Sequence, residues 1–150
     1  MRRLALVALL VPVLAGCGGD SSSSEDFTAD ANRICREAAA KVAEVARETP
    51  RSGDPAAAAA GVLERGVAVY EPYMDRLRAL EAPEDLRADW DAFLDRVQQA
   101  FDLFPRLAAA TRTRDRRELS ELTTRFAQIA GDTRPFAERQ GLEDCLPDQG

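Results

Sequence analysis

The chain predicts an all-α fold, an antiparallel up-down four-helix bundle with kinked helices and one disulfide. Three observations carry that expectation. Alanine is abundant, aromatic residues are 6% and β-branched residues are thinly scattered, a balance that favours helix over strand. Apolar residues recur at spacings of three and four through four long segments, each opened or closed by proline, glycine or an acidic cap. A chain of 150 residues has room for one domain with a core of its own.

The first segment runs from about Asp26 to Arg47 and places Phe27, Ala31, Ile34, Ala38, Val42 and Val45 on one face. Glu37 and Lys41, four apart, read as an ion pair on its outer side. Thr49-Pro50-Arg51-Ser52-Gly53 ends it, and Asp54-Pro55 then caps a second helix reaching about Leu80. Its stripe is Leu63, Val67, Tyr70, Met74 and Leu77. Pro72 lies within it, lacks a backbone N–H, and predicts a kink at Tyr70 to Tyr73.

The third helix is expected from about Pro83 to Ala110, with Leu86, Trp90, Phe93, Leu94, Val97, Phe101, Phe104 and Ala108 as the heaviest apolar face and Pro105 bending it near its end. Asp115 and Glu118 have the spacing of a capping box for a fourth helix. Leu119, Leu122, Phe126, Ile129, Thr133 and Phe136 keep helical phase through Gly131 and Pro135 to about Gln140. A stop at Gly131 followed by a short helix near Pro135 competes with that reading. Gly141 before Leu142 reads as a helix stop with its hydrophobic contact.

Short connections favour antiparallel neighbours, which brings the end of the fourth helix beside the start of the first. Cys145 and Cys35 lie at those two places, and in an exported domain they are expected to pair, two free thiols being the competing state.

Residues 1–16 have the parts of an export signal: Arg2 and Arg3, an apolar core from Leu4 to Val13, then small Ala15 and Gly16. The apolar stretch falls short of the roughly 20 residues that span a bilayer. Leu14-Ala15-Gly16-Cys17 resembles the lipobox of bacterial lipoproteins in all four positions. That resemblance implies cleavage between Gly16 and Cys17, a diacylglycerol with palmitate-type chains on the Cys17 thiol, and an extracytoplasmic location on the cell membrane. An ordinary secretory signal would instead leave Cys17 a stray thiol in an oxidising compartment. Two acyl chains hold a domain at a membrane stably where one does not. Residues 17–26 then read as the lipidated cysteine and a flexible serine-rich tether, 27–146 as the bundle and 147–150 as a disordered tail.

Asn32 with Cys35, "LRALEAPEDLRADW" from Leu77 to Trp90 and "GLEDC" from Gly141 to Cys145 make the chain similar to the small Ala- and Arg-rich lipoproteins of actinobacteria. The resemblance implies an envelope location and no particular activity.

The residue inventory narrows the chemistry. There are 20 basic and 26 acidic residues; without Arg2 and Arg3 of the leader, 18 remain against 26, a formal charge of about −8. Arg112, Arg114, Arg116 and Arg117 surround Asp115, and no aromatic residues interleave with them, so nucleic acid is not an expected partner. The absence of histidine rules out a Ser-His or Cys-His nucleophile. Lys41, the only lysine, is expected on a solvent face. Glu84, Asp85, Asp89, Asp91, Asp95 and Asp102 read as a solvated acidic face rather than a hydrolytic pair, and no calcium-loop pattern is present.

No catalytic residue, metal ligand or cofactor is therefore expected. Tyr70, Tyr73, Trp90 and Phe93 are the residues that could line a pocket between kinked helices, the competing role being plain core. The expectation is a lipid-anchored, non-enzymatic binding or scaffolding module of the cell envelope, with an envelope protein as partner. The alternative is a bundle that binds a small apolar ligand for other envelope machinery.

Overall fold

The computed structural model describes residues 23–49 and 53–146; regular structure among them is helical, with no strand. The expected signal peptide, Cys17 and the tail at 147–150 lie outside the described residues. No helix among the described residues is long and apolar enough to cross a membrane.

Helix α1 (Ser24–Glu48) starts before the sequence reading placed it. Ser23 is its N-cap: the hydroxyl accepts from the Asp26 N–H at 3.1 Å and donates to the Asp26 carboxylate at 2.7 Å. This reciprocal bond satisfies an orphan donor of the first turn and draws Ser24 to Asp26, expected in the tether, into the helix. Helix α2 (Pro55–Arg78) has the cap foreseen, with Asp54 accepting from the Ala56 N–H at 3.0 Å. It continues through Pro72, which lies on the exposed side.

The expected third helix is two helices. Pro83 to Leu86 form a turn closed by the Leu86 N–H on the Pro83 carbonyl at 2.9 Å, and α3 (Arg87–Phe101) begins only after it. A break at Asp102–Leu103 then separates α3 from α4 (Phe104–Thr113). Pro105 is the physical reason. It has no N–H to give the carbonyl of Phe101 and its ring crowds that group, so the break falls one turn before the proline rather than at it. Pro105 ends up in the first turn of α4, where the missing donor costs nothing.

Helix α5 (Arg116–Arg139) runs unbroken through Gly131 and Pro135, the longer of the two readings. Asp115 caps it, accepting from the Glu118 N–H at 3.1 Å. The Glu118 carboxylate does not return the bond; it accepts from Arg106 of α4 at 3.1 and 2.5 Å. At the far end Gly141 takes φ +65°, and the Leu142 and Gly141 N–H groups reach the Ala137 and Glu138 carbonyls at 2.8 and 3.3 Å. This paired bond satisfies the last carbonyls of the helix and tucks Leu142 fully inside. A 3-10 turn at Glu143–Cys145 follows.

The main core gathers Phe27, Ile34 and Cys35 from α1, Met74 and Leu77 from α2, Trp90, Phe93 and Leu94 from α3, and Phe136 and Leu142 from the chain's end. A smaller core joins Leu103 and Ala110 to Leu122 and Ile129. Helix α2 packs on α1 and α4, and less extensively on α3; α5 packs on α3 and α4. The α2 stripe differs from its sequence reading. Leu63, Val67 and Tyr70 are half-buried, whereas Ala60 is fully buried, as is Ala108 on α4, because small side chains let two helices approach closely.

The outer ion pairs also differ. Glu37 does not pair with Lys41 but accepts from Arg33 at 3.0 Å and from Arg76 of α2 at 2.7 Å, while Lys41 donates to Glu44 at 2.7 Å. A guanidinium projecting from the neighbouring helix outcompetes an ammonium on the same helix, because it adds a second charge-assisted bond to a carboxylate already held by Arg33.

The Cys35 and Cys145 sulfurs are 2.06 Å apart, at disulfide distance, and their Cα atoms are separated by 5.1 Å. Three side chains of α1 make four polar contacts around them. Thr28 donates to the Gln140 carbonyl at 3.2 Å; Asn32 donates to the Gly141 carbonyl at 2.7 Å and accepts from the Asp144 N–H at 3.1 Å; Arg36 pairs with the Asp144 carboxylate. With the two cysteines 110 positions apart, the link removes up to about 4.7 kcal/mol of chain entropy from the unfolded state. Reduction, or Cys35→Ser with Cys145→Ser, is expected to lower the urea midpoint by a matching free energy, measured with and without reductant.

Helix α4 ends in the same paired bond as α5, with Asp115 and Arg114 N–H groups on the Ala110 and Thr111 carbonyls at 3.0 and 3.2 Å. Here the left-handed residue is Arg114, φ +55°, where an L side chain is disfavoured. Its guanidinium pairs with Asp54 at 2.7 Å. Arg114→Gly and Arg114→Ala both lose that pair, but only alanine keeps the backbone strain. The glycine variant is therefore expected to be more stable than the alanine variant by about 1 kcal/mol in urea unfolding.

Candidate functional site

Most aromatic residues of the chain fall into two contiguous groups. In the first, Phe27 meets Trp90 edge-on with ring centroids 5.0 Å apart, Trp90 stacks on Phe93 at 5.4 Å, and Phe93 lies against Phe136 at 5.3 Å. In the second, Tyr70 packs on Phe101 at 4.1 Å, Phe101 on Phe104 at 5.2 Å, and Phe104 on Phe126 at 5.8 Å. Helical phase explains both: positions 90, 93, 97, 101 and 104 turn one face of α3 and the start of α4 inward.

The structure brings the four expected pocket residues to one cluster, in different roles. Trp90 and Phe93, 2% and 5% exposed, are core side chains. Tyr70 and Tyr73 pack against that core from its partly exposed flank. Tyr70 faces Phe101 rather than Trp90, and the Arg76 guanidinium sits 5.3 Å from the Tyr73 ring. Burial pushes the Tyr70 phenol above its ordinary pKa, so it stays protonated across the physiological range.

One polar atom in this region is unpaired. The Trp90 Nε1 is sealed from solvent and has no hydrogen-bond partner among the described residues. The sequence indicated Trp90 as core, but whether its N–H would meet an acceptor depends on neighbours from other helices.

The acidic side chains of the third segment are all exposed, Glu84 and Asp85 in the turn before α3, Asp89, Asp91 and Asp95 along the helix and Asp102 in the break after it. No group of three or more potential metal ligands stands close together among the described residues. Along α5, Arg116, Leu119, Ser120, Thr123, Thr124 and Ala127 line a shallow, open depression. All six belong to one helix, so no second element supplies a converging polar group. The sequence reading had not singled out this surface, because of its residues only Leu119 belongs to the apolar stripe.

No family model, curated protein or solved structure matches the chain.

The strongest local electrostatics are structural. Arg76, and then Arg33, hold the Glu37 carboxyl below its ordinary pKa. A depressed carboxyl contributes stability that is full above its unfolded value, about 4.3, and is lost as pH falls through the lower folded value. The wild-type protein is expected to exceed Glu37→Gln in urea midpoint at neutral pH. The two should converge as pH falls through the depressed folded value, below which both side chains are uncharged.

Proposed function

We propose that the protein is a lipid-anchored lipoprotein of the bacterial cell envelope, held on the extracytoplasmic face of the membrane through Cys17, and that its helical domain is a non-enzymatic binding or scaffolding module. The observation that carries the reading is the tetrad Leu14-Ala15-Gly16-Cys17 behind a short, positively started apolar run. Its occupant at Cys17 is a diacylglycerol, and its further partner is an envelope protein.

The fold is compatible with short tethering. Helix α1 is capped at Ser23, and five residues, Gly18 to Ser22, lie between that cap and Cys17 in the sequence, a span of at most about 20 Å for extended chain. The disulfide-distance cysteines suit an oxidising compartment. The non-enzymatic reading rests on chemistry: no histidine, a single lysine engaged with Glu44, and carboxylates along the third segment that stand exposed to solvent.

The finer architecture belongs to the same reading. The domain is an up-down-up-down bundle in which α3 and α4 together occupy the third position, with bends at Pro72 and Pro135. Contacts at both ends support it. Thr28 and Asn32 at the start of α1 meet the exit of α5, and Arg114 and Arg112 beyond and along α4 pair with Asp54 at the cap of α2 and Glu64 in its first half.

A second reading, binding of a small apolar ligand for other envelope machinery, is favoured by the unpaired Trp90 Nε1 in an aromatic core.

Replacing Cys17 by serine tests the anchor. Membrane fractionation is expected to show the wild-type chain in the membrane pellet and the Cys17→Ser chain either released or uncut at Gly16. A processed Cys17→Ser chain that stays in the pellet would overturn the reading.

A further inference from the structure

We propose that the Trp90 Nε1–H is the fixed polar point of a binding site for an uncharged, mainly apolar molecule carrying one acceptor oxygen, reached through the seam between α2 and α3. The proposal rests on the ligand-binding reading of the domain and is independent of the lipid anchor.

A buried donor with no acceptor costs about 1–3 kcal/mol, and native folds rarely keep one without use. Trp90 is 2% exposed, and its nitrogen is the one buried side-chain polar atom among the described residues left without a partner. Indole nitrogen only donates, so the group that completes it must accept, as an ether, hydroxyl or carbonyl oxygen does. The surrounding cluster of Phe27, Ile34, Met74, Leu77, Leu94 and Phe136 holds no charged side chain. A carboxylate or ammonium carried there would be uncompensated, which excludes charged ligands and leaves an apolar body with a single oxygen.

Helix α2 meets α3 less extensively than it meets α1 or α4. Across the seam Tyr70 packs on Phe101 with the rings tilted, half-buried Tyr73 and Val97 flank the core, and Arg78 donates to Gln98 at 2.8 Å on the exposed rim. On the α2 wall, Pro72 leaves the Ala68 carbonyl without its helical donor, which weakens that turn, and Met74 has an unbranched side chain that repacks readily. Movement of the wall between Tyr70 and Tyr73 would admit a chain-like molecule while the aromatic stack of Trp90 on Phe93 keeps the donor in place.

Trp90 is the only tryptophan, so its emission reports the site directly. The mature chain from residue 17, with Cys17→Ser so that it carries no lipid, is titrated without detergent with hexanol and, separately, with hexane. Hexanol is expected to shift Trp90 emission saturably, to raise the melting temperature, and to bind about 3- to 10-fold more tightly than hexane, the worth of one hydrogen bond. In Trp90→Phe, followed by melting temperature, that preference is expected to vanish. Should the phenylalanine variant not fold, the hexanol-to-hexane ratio in the wild-type chain decides the same point. Equal affinity for the two probes, or an undiminished preference in Trp90→Phe, would overturn the role of the nitrogen alone. No saturable response to either probe would overturn the ligand-binding reading with it.

Discussion

The link between Cys35 and Cys145 joins the middle of the first helix to the segment that follows the last, and the arrangement of the core depends on it. Helix α1 makes its packing contacts with α2 and with the 3-10 turn that carries Cys145, so its register against the rest of the chain is set at that turn. Thr28, Asn32, Cys35 and Arg36 recur at helical spacing along one edge of α1 and engage Gln140 to Cys145 in succession. The single amide of Asn32 serves both the Gly141 carbonyl and the Asp144 N–H. With that edge held, Phe27 is delivered onto Trp90, and Leu142 is driven under the end of α5 by the left-handed Gly141.

The two cores divide the labour. The larger, near the cysteines, contains the aromatic stack and the covalent link; the smaller, between α4 and α5, is built from Leu103, Ala110, Leu122 and Ile129. The break at Asp102–Leu103 is what allows both to exist. A single straight helix from Pro83 to Ala110 would carry the face of Trp90 and Phe93 onward without change of direction, whereas the break lets Leu103 and Ala110 turn towards α5. Polar contacts follow the same division: Glu37 ties α1 to α2 near the larger core, and Arg106 ties α4 to α5 near the smaller.

In the proposed reading the chain is attached at the membrane through Cys17, and the larger core, which includes Ala82 at the turn before α3, carries the unpaired indole nitrogen of Trp90.

Local signals in the sequence determined the helices and most of their ends. Asp54-Pro55, Asp115 and Gly141-Leu142 act within one turn of backbone, and the structure keeps each of them. Phe27, Ile34, Trp90, Phe93, Leu122, Ile129 and Phe136 were recognisable as core from their spacing of three and four, since a helix can bury only one stripe. The Ser23 to Asp26 cap was legible too, as a serine three residues before an acid, but was masked by the serine run around it. Other features needed the tertiary structure because they are decided by competition between partners far apart in the chain. Glu37 chose Arg76 over Lys41, Glu118 chose Arg106 over its own N-cap, and the proline-weakened third helix broke where α4 could reach both α2 and α5. The unpaired Trp90 nitrogen is of the same kind: spacing buries the ring, but only the surrounding helices decide whether its N–H finds an acceptor.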